Sequence, residues 1–168
     1  MLDLLQVVAV MVVALPTALS VAHALEFPGK KRLDEQTYRA VQRIYYPGFT
    51  IGGIAEIAAI PLTALLLFLT PTANAAFWVV LIAFIGMIAM HTVYWLVTHP
   101  VNMYWMEGQP VSTSGARFFA IASKRGGPPP AWTDLRDRWE YSHIARACLG
   151  CISLFVLVIS LVVGPEPS

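Results

Sequence analysis

The sequence predicts an all-α fold, a four-helix transmembrane bundle, from its composition and from four long apolar runs. Of its 168 residues, 57% are hydrophobic and only 12% are charged, whereas soluble domains carry about 25% charged residues. No segment alternates between apolar and polar residues with a period of two, so the pattern does not favour a β-barrel. We therefore expect a single integral membrane domain over residues 1–168.

Each of the four apolar runs is long enough to cross a hydrocarbon core, which takes about 20 helical residues. They cover residues 2–25, 49–69, 75–97 and 144–163. The first run has no positively charged start, and its only early charge is Asp3, so we expect a spanning helix there rather than a signal peptide. Gly and Ala among the larger residues favour close helix packing in lipid.

The distribution of basic residues predicts the orientation. Every Lys and Arg lies in the predicted connections at 26–48 and 98–143, apart from Arg146 just inside the fourth run. By the positive-inside rule both connections are cytoplasmic and both termini lie outside, and a bacterial inner (cytoplasmic) membrane is expected. Residues 116–125 form a short amphipathic stretch that is typical of a leaflet surface. The net charge of +1 gives no basic excess for a nucleic-acid partner.

Ionisable residues are costly in a membrane, yet several fall in or beside these runs and are predicted to meet in one slab near the cytoplasmic face. Two pairs, His23 with Glu26 and Glu140 with His143, are spaced three residues apart. The members of each pair therefore share a helix face. Di-iron bundles use such Glu-x-x-His pairs with further carboxylates. The predicted ligands of a non-haem iron site, mononuclear or dinuclear, are His23, Glu26, Glu56, His91, Glu140 and His143.

Among these ligands we assign Glu56, His91 and His143 to catalysis. Three alternatives remain open. The first is a b-type haem with two histidines as axial ligands, and the second is a metal-free proton relay. The third is a non-enzymatic subunit of a homo-oligomer or larger membrane complex, whose polar cluster only locks the helices. The sequence does not decide whether His91 or His99 faces the site, because their headings differ by about 80°.

Aromatic residues near the same face predict either an interfacial belt or the wall of a pocket for a flat apolar molecule. Tyr94 and Trp95 follow His91 on the third helix. In the fourth run, Cys148 and Cys151 lack a second cysteine pair to relay electrons, so we interpret them as small residues at a helix interface.

Three stretches of the chain carry a resemblance to a known family: "HALEFPGKKRLDEQTYRAVQRIYYPGF", "THPVN..W" and "W.DLRDRWEYSHIARA". They resemble the small four-helix membrane proteins of the anthrone-oxygenase-like family, over nearly the whole chain. The resemblance implies oxidation of anthrones to anthraquinones with dioxygen. The polar motif positions of that family match His23, Glu26, Asn102, Trp139 and His143.

Together these observations predict a membrane oxidoreductase or oxygenase acting on a hydrophobic aromatic or quinone-like small molecule within the lipid bilayer. The residues expected to bind that molecule are Tyr94, Trp95, Asn102 and Trp139.

Overall fold

The computed structural model describes residues 2–46, 48–106 and 130–163, without the side chains of Thr50, Ile51 and Met106. Within these residues the chain is all-α and contains no strand, as predicted. The elements are α1 (Leu2–Lys30), α2 (Glu35–Gln42), a 3₁₀ turn (Arg43–Tyr45), α3 (Gly48–Leu69), α4 (Ala75–Val93), a π-helical segment (Tyr94–Thr98), α5 (His99–Met106) and α6 (Trp132–Val162).

Four helical stretches in the described residues are long and apolar enough to cross a membrane: Leu2–Lys30, Gly52–Leu69, Ala75–Trp105 and Trp132–Val162. Three of them extend beyond the predicted spans, because polar residues continue the helices past their apolar parts. Helix α6, for example, begins at Trp132 rather than near residue 144. The amphipathic stretch predicted at 116–125 lies outside the described residues.

The four spanning helices pack in a ring, in which α1 and α4 each contact both α3 and α6. Buried apolar side chains fill the centre, among them Val13, Leu66, Met87 and Leu157. Small residues bring helices together where α6 meets its neighbours, since Gly150 lies against Thr17 of α1 and Gly86 of α4 lies against Ser153. Large apolar side chains cover the outside of the bundle, as lipid contact requires.

One end of the bundle, here called the basic end, carries α2, α5 and the first turns of α6. A second cluster of buried side chains joins these elements: Tyr38, Val101, Trp105, Leu135 and Trp139. Helix α2 begins at an Asp34 cap, whose carboxylate accepts a hydrogen bond from the Thr37 N–H at 2.8 Å. That donor lowers the pKa of Asp34. The basic end is therefore a packed layer, and it positions the polar groups described below.

The sequence left open whether His91 or His99 faces the site. The π-helical segment answers this question. Residue His99 donates its N–H to the Tyr94 carbonyl, five residues earlier, so this turn holds one residue more than an α-turn would. The additional residue shifts the phase of the helix beyond it. As a result both His91 and His99 point into the bundle, with His99 fully buried.

The interpretation of the two cysteines as interface residues is wrong for this chain. Both Cys148 and Cys151 are free thiols exposed on the outer face of α6. The residues of α6 that pack on other helices occupy a different face, which includes Gly150 and Ser153.

The close approach of α1 and α6 gives a first prediction. A Cβ atom added at Gly150 would lie 2.8 Å from the Thr17 hydroxyl oxygen and 3.3 Å from the Thr17 Cα. We expect Gly150→Val to separate the helices and lower the free energy of unfolding by about 1–3 kcal/mol, measured by thermal unfolding in detergent. Cys148→Val on the exposed face of α6 is the control, and an equal loss in both variants would contradict the packing argument.

Candidate functional site

A cavity of about 360 Å³ lies among the spanning helices near the basic end. Aromatic side chains form part of its wall, and they are Tyr45, Tyr46, Phe49, Tyr94, Trp95, Trp105 and Trp139. The polar side chains facing it include five that the four spanning helices supply: His23, Glu56, His91, His143 and Arg146. The predicted convergence of polar groups from every helix is therefore present.

The deepest of these polar groups is built around Glu56. This buried carboxylate of α3 accepts hydrogen bonds from Arg146 of α6 and, at 3.0 Å, from Nδ1 of His91. The Trp95 indole N–H donates to the other ring nitrogen of His91 at 2.8 Å. Because Nε2 is thus an acceptor, the proton of neutral His91 sits on Nδ1 and points at the carboxylate.

His143 lies on the other side of Arg146. The guanidinium donates to His143 Nδ1 at 3.3 Å, which places the proton of the neutral ring on Nε2. That Nε2 atom is buried and has no hydrogen-bond partner among the described residues. The His143 ring also contacts the Trp139 ring, with centroids 4.2 Å apart, and the His23 ring, at 4.1 Å. His143, one of the residues that line the cavity, therefore carries a buried N–H that has no partner among the described residues.

A second polar group surrounds Lys30 at the end of α1. Its ammonium, on a residue only 4% exposed, lies 2.9 Å from Glu26 and 3.6 Å from Glu140, and it donates to His23 Nδ1 at 3.4 Å. It also lies 4.7 Å from the centre of the Tyr45 ring, within cation–π range. Lys30 thus pairs with two carboxylates and contacts His23 Nδ1.

Two tyrosines complete the Lys30 group. The Tyr38 hydroxyl donates to Glu140 at 2.9 Å, and the Tyr45 hydroxyl donates to Glu26 at 2.5 Å. Burial and the neighbouring carboxylate raise the pKa of each phenol well above its usual value. Both therefore remain protonated donors at any physiological pH.

The contact between His23 and His143 joins the two groups into one continuous polar chain across the bundle. Its members, in order from the basic end, are Tyr38, Glu140, Lys30, His23, His143, Arg146, Glu56 and His91.

The remaining predicted residues support the wall of the cavity. Asn102 lines it and accepts a hydrogen bond from the Trp139 indole at 2.7 Å. Tyr94 and Trp95 also line it, and His99 packs behind them with its ring centre 4.8 Å from that of Trp95. Glu26 is the most exposed of the predicted ligands and lies outside the cavity wall.

This arrangement does not fit the predicted iron site. Among the described residues, no group of three or more His, Cys, Asp or Glu side chains is positioned to hold a metal ion. The cations Lys30 and Arg146 lie between the side chains that were predicted as ligands, and they contact His23, Glu26, Glu56, Glu140 and His143. An iron site stays a prediction that requires both cations to move away.

The contacting pair His23 and His143 is not placed to serve as two axial ligands of a b-type haem. The His23 and His143 rings touch each other, which leaves no space between them for a porphyrin. Both ring nitrogens of His91 are engaged in hydrogen bonds to Glu56 and Trp95. The haem alternative therefore also requires a rearranged site.

Sequence reasoning missed the two cations at the centre of the site. The signal for Arg146 was its position, since a charge inside an apolar run needs an opposite charge buried with it, and Glu56 lies inside another run. The signal for Lys30 was its place four residues after Glu26, on the same helix face. The roles of Tyr38 and Gln42 had no comparable signal, because both lie on the short helix α2.

No protein-family model, curated protein or solved structure matches the chain. The resemblance to the anthrone-oxygenase-like family stays a prediction.

The pair of Glu56 and Arg146 gives a second prediction. Glu56→Ala leaves a buried guanidinium without its carboxylate, and we expect the free energy of unfolding to fall by about 3–5 kcal/mol. The double variant Glu56→Leu with Arg146→Leu removes both charges and should recover most of this loss. Thermal unfolding in detergent measures both effects.

The control for this experiment is Glu35→Ala, which breaks a partly exposed ion pair with Arg39 at 2.8 Å. Such pairs contribute at most about 1 kcal/mol. If Glu56→Ala costs no more than this control, Glu56 and Arg146 are not a stabilising pair.

Proposed function

We propose that the protein is an integral membrane oxidoreductase that binds a flat, hydrophobic aromatic or quinone-like molecule in this cavity and oxidises it with dioxygen. The observation that carries the proposal is the unpaired, buried N–H of His143 at the wall of an aromatic cavity between membrane-spanning helices.

The size and the wall of the cavity support binding of an aromatic molecule. A volume of about 360 Å³ lies within the range of small-molecule sites, which are mostly apolar with a few placed polar groups. Aromatic side chains favour offset-stacked or edge-on contacts with a planar ring. Trp95, Trp105 and Trp139 offer such surfaces around the cavity.

The unpaired donors support a ligand that carries acceptor oxygens. Besides His143 Nε2, the Gln42 side-chain nitrogen and the Trp105 indole nitrogen are buried without a partner among the described residues, and both residues line the cavity. Buried N–H groups are normally satisfied, so a bound molecule with carbonyl or phenol oxygens supplies what they lack.

The charges behind the cavity support stabilisation of an anionic oxygen. Arg146 holds the neutral His143 ring with its proton on Nε2, and a neutral imidazole polarises a carbonyl in other enzymes. Glu56 is the one carboxylate among the described lining residues, and we assign it the role of proton acceptor, with His91 hydrogen-bonded to it. A bound keto substrate thereby loses a proton more readily and forms its enolate.

The oxidation step rests on the resemblance to the anthrone-oxygenase-like family. A ring methylene opposite a keto group becomes a carbonyl. One oxygen atom of dioxygen enters the substrate, and the other leaves as water with the two methylene hydrogens. The substrate loses four electrons and dioxygen gains them. Enolate formation at His143 and Glu56 prepares the carbon for this reaction.

A second candidate function is a non-enzymatic membrane subunit. It is favoured by one observation, that Lys30 and Arg146 form ion pairs with carboxylates and tie α1, α3 and α6 together. In that case the cavity binds no aromatic molecule, and the following two experiments give no signal.

The third prediction concerns His143. In protein reconstituted into vesicles with anthrone and oxygen, we expect His143→Phe to lower kcat by about 100-fold or more, the usual cost of one lost oxyanion donor. Anthraquinone absorbance and oxygen uptake measure the rate. Tyr141→Phe, on the exposed face of α6, is the control. Unchanged turnover in His143→Phe excludes the assigned role.

The fourth prediction separates binding from stability. Gly53 lines the cavity, and a Cβ added there meets nothing within 4 Å. Gly53→Leu should fill the cavity and weaken binding of anthraquinone, while helix stability rises by up to about 1 kcal/mol because glycine is a poor helix former. Quenching of tryptophan fluorescence measures the Kd.

Gly29→Leu is the matched control for Gly53→Leu. It also replaces a helical glycine whose added Cβ meets nothing within 4 Å, but Gly29 does not line the cavity. Equal anthraquinone affinity in the two variants would contradict the proposed binding site.

A further inference from the structure

The cavity reaches the outer surface of the bundle along α3. Two of its lining residues, Ile54 and Ile57, are 65% and 57% exposed. At the basic end, by contrast, the lining residues Gln42, Trp105 and Trp139 are at most 5% exposed. Among the described residues, the exposed part of the wall therefore lies on the side of the bundle, within the first turns of the span Gly52–Leu69.

The opposite edge of this exposed part is formed by α4 and the π-helical segment. His91 and Trp95 line the cavity there, and the His91 side chain is still 27% exposed. The segment Tyr94–Thr98 packs against α6 as well as against its neighbours in the chain. On α3 itself the wall holds Gly53, where an added Cβ atom would meet nothing within 4 Å.

We propose that the ligand enters this cavity sideways from the bilayer, through a portal between α3 and α4 whose edges are Ile54, Ile57, His91 and Trp95. The inference rests on the proposed function, since it concerns how the aromatic substrate reaches that same site. The portal lies at the level of the apolar span, so a molecule passing through it crosses from acyl chains directly onto an aromatic wall.

The position of the portal defines the class of molecule that uses it. Entry into hydrocarbon is unfavourable for a charged molecule, which must cross it to reach the opening. An uncharged planar ring system, by contrast, is concentrated in the hydrocarbon region. The substrate is therefore neutral on arrival, and it becomes an anion only beside His143 and Arg146.

A portal residue has a kinetic signature that a wall residue lacks. Narrowing a passage slows association and dissociation by the same factor and leaves the Kd unchanged. We expect Ile57→Trp to lower both rate constants for anthraquinone about tenfold, and Ile57→Ala to raise both. Stopped-flow quenching of tryptophan fluorescence measures them, in phosphatidylcholine vesicles loaded with anthraquinone.

Ile85→Trp is the matched control, because Ile85 on α4 is similarly exposed at 56% but does not line the cavity. Ile54→Trp provides a second portal variant. Wild-type rates in both portal variants, or a changed Kd with unchanged association, would overturn the portal. Absence of any quenching in the wild-type protein would instead contradict the proposed function, and the portal with it.

Discussion

Charges buried among apolar helices must find their partners within the bundle, because lipid offers none. In this protein the constraint is met by two cations, each placed among several acceptors. Arg146 joins Glu56 across the centre of the bundle, and Lys30 joins Glu26 and Glu140 near its basic end. The positions of α1, α3 and α6 follow from these contacts as much as from apolar packing.

The same two cations determine what the histidines can do. Each of His23 and His143 accepts a hydrogen bond at Nδ1 from a neighbouring cation, so each ring keeps its proton on Nε2 and acts as a donor. By their residue types alone, these side chains would suit a metal ion. With the protons placed in this way, they suit a ligand that carries an acceptor oxygen. The chemistry of the cavity therefore depends on Arg146, which lines it, and on Lys30, which lies outside the lining.

Much of this architecture was readable from the sequence, because apolar runs of about 20 residues and rare charges inside them are strong signals. The convergence of His23, Glu56, His91 and His143 followed from placing them along four spans. The sequence did not predict which side chains pair with one another, since spacing along one helix does not show which cation of another helix contacts them. The π-helical turn also had no sequence signal, and without it the orientation of His99 was undecidable.

That π-helical turn joins two parts of the cavity wall. His91 lies before the turn, and Asn102 and Trp105 lie after it. If the residues Tyr94–Thr98 formed an ordinary α-turn instead, everything after them would rotate about the helix axis by about 100°. Asn102 would then leave Trp139, and Trp105 would leave the wall, while His91 and Glu56 would stay where they are. A chain in which this turn relaxed to α-helical hydrogen bonding would keep the contact between Glu56 and His91 beside a differently shaped chamber.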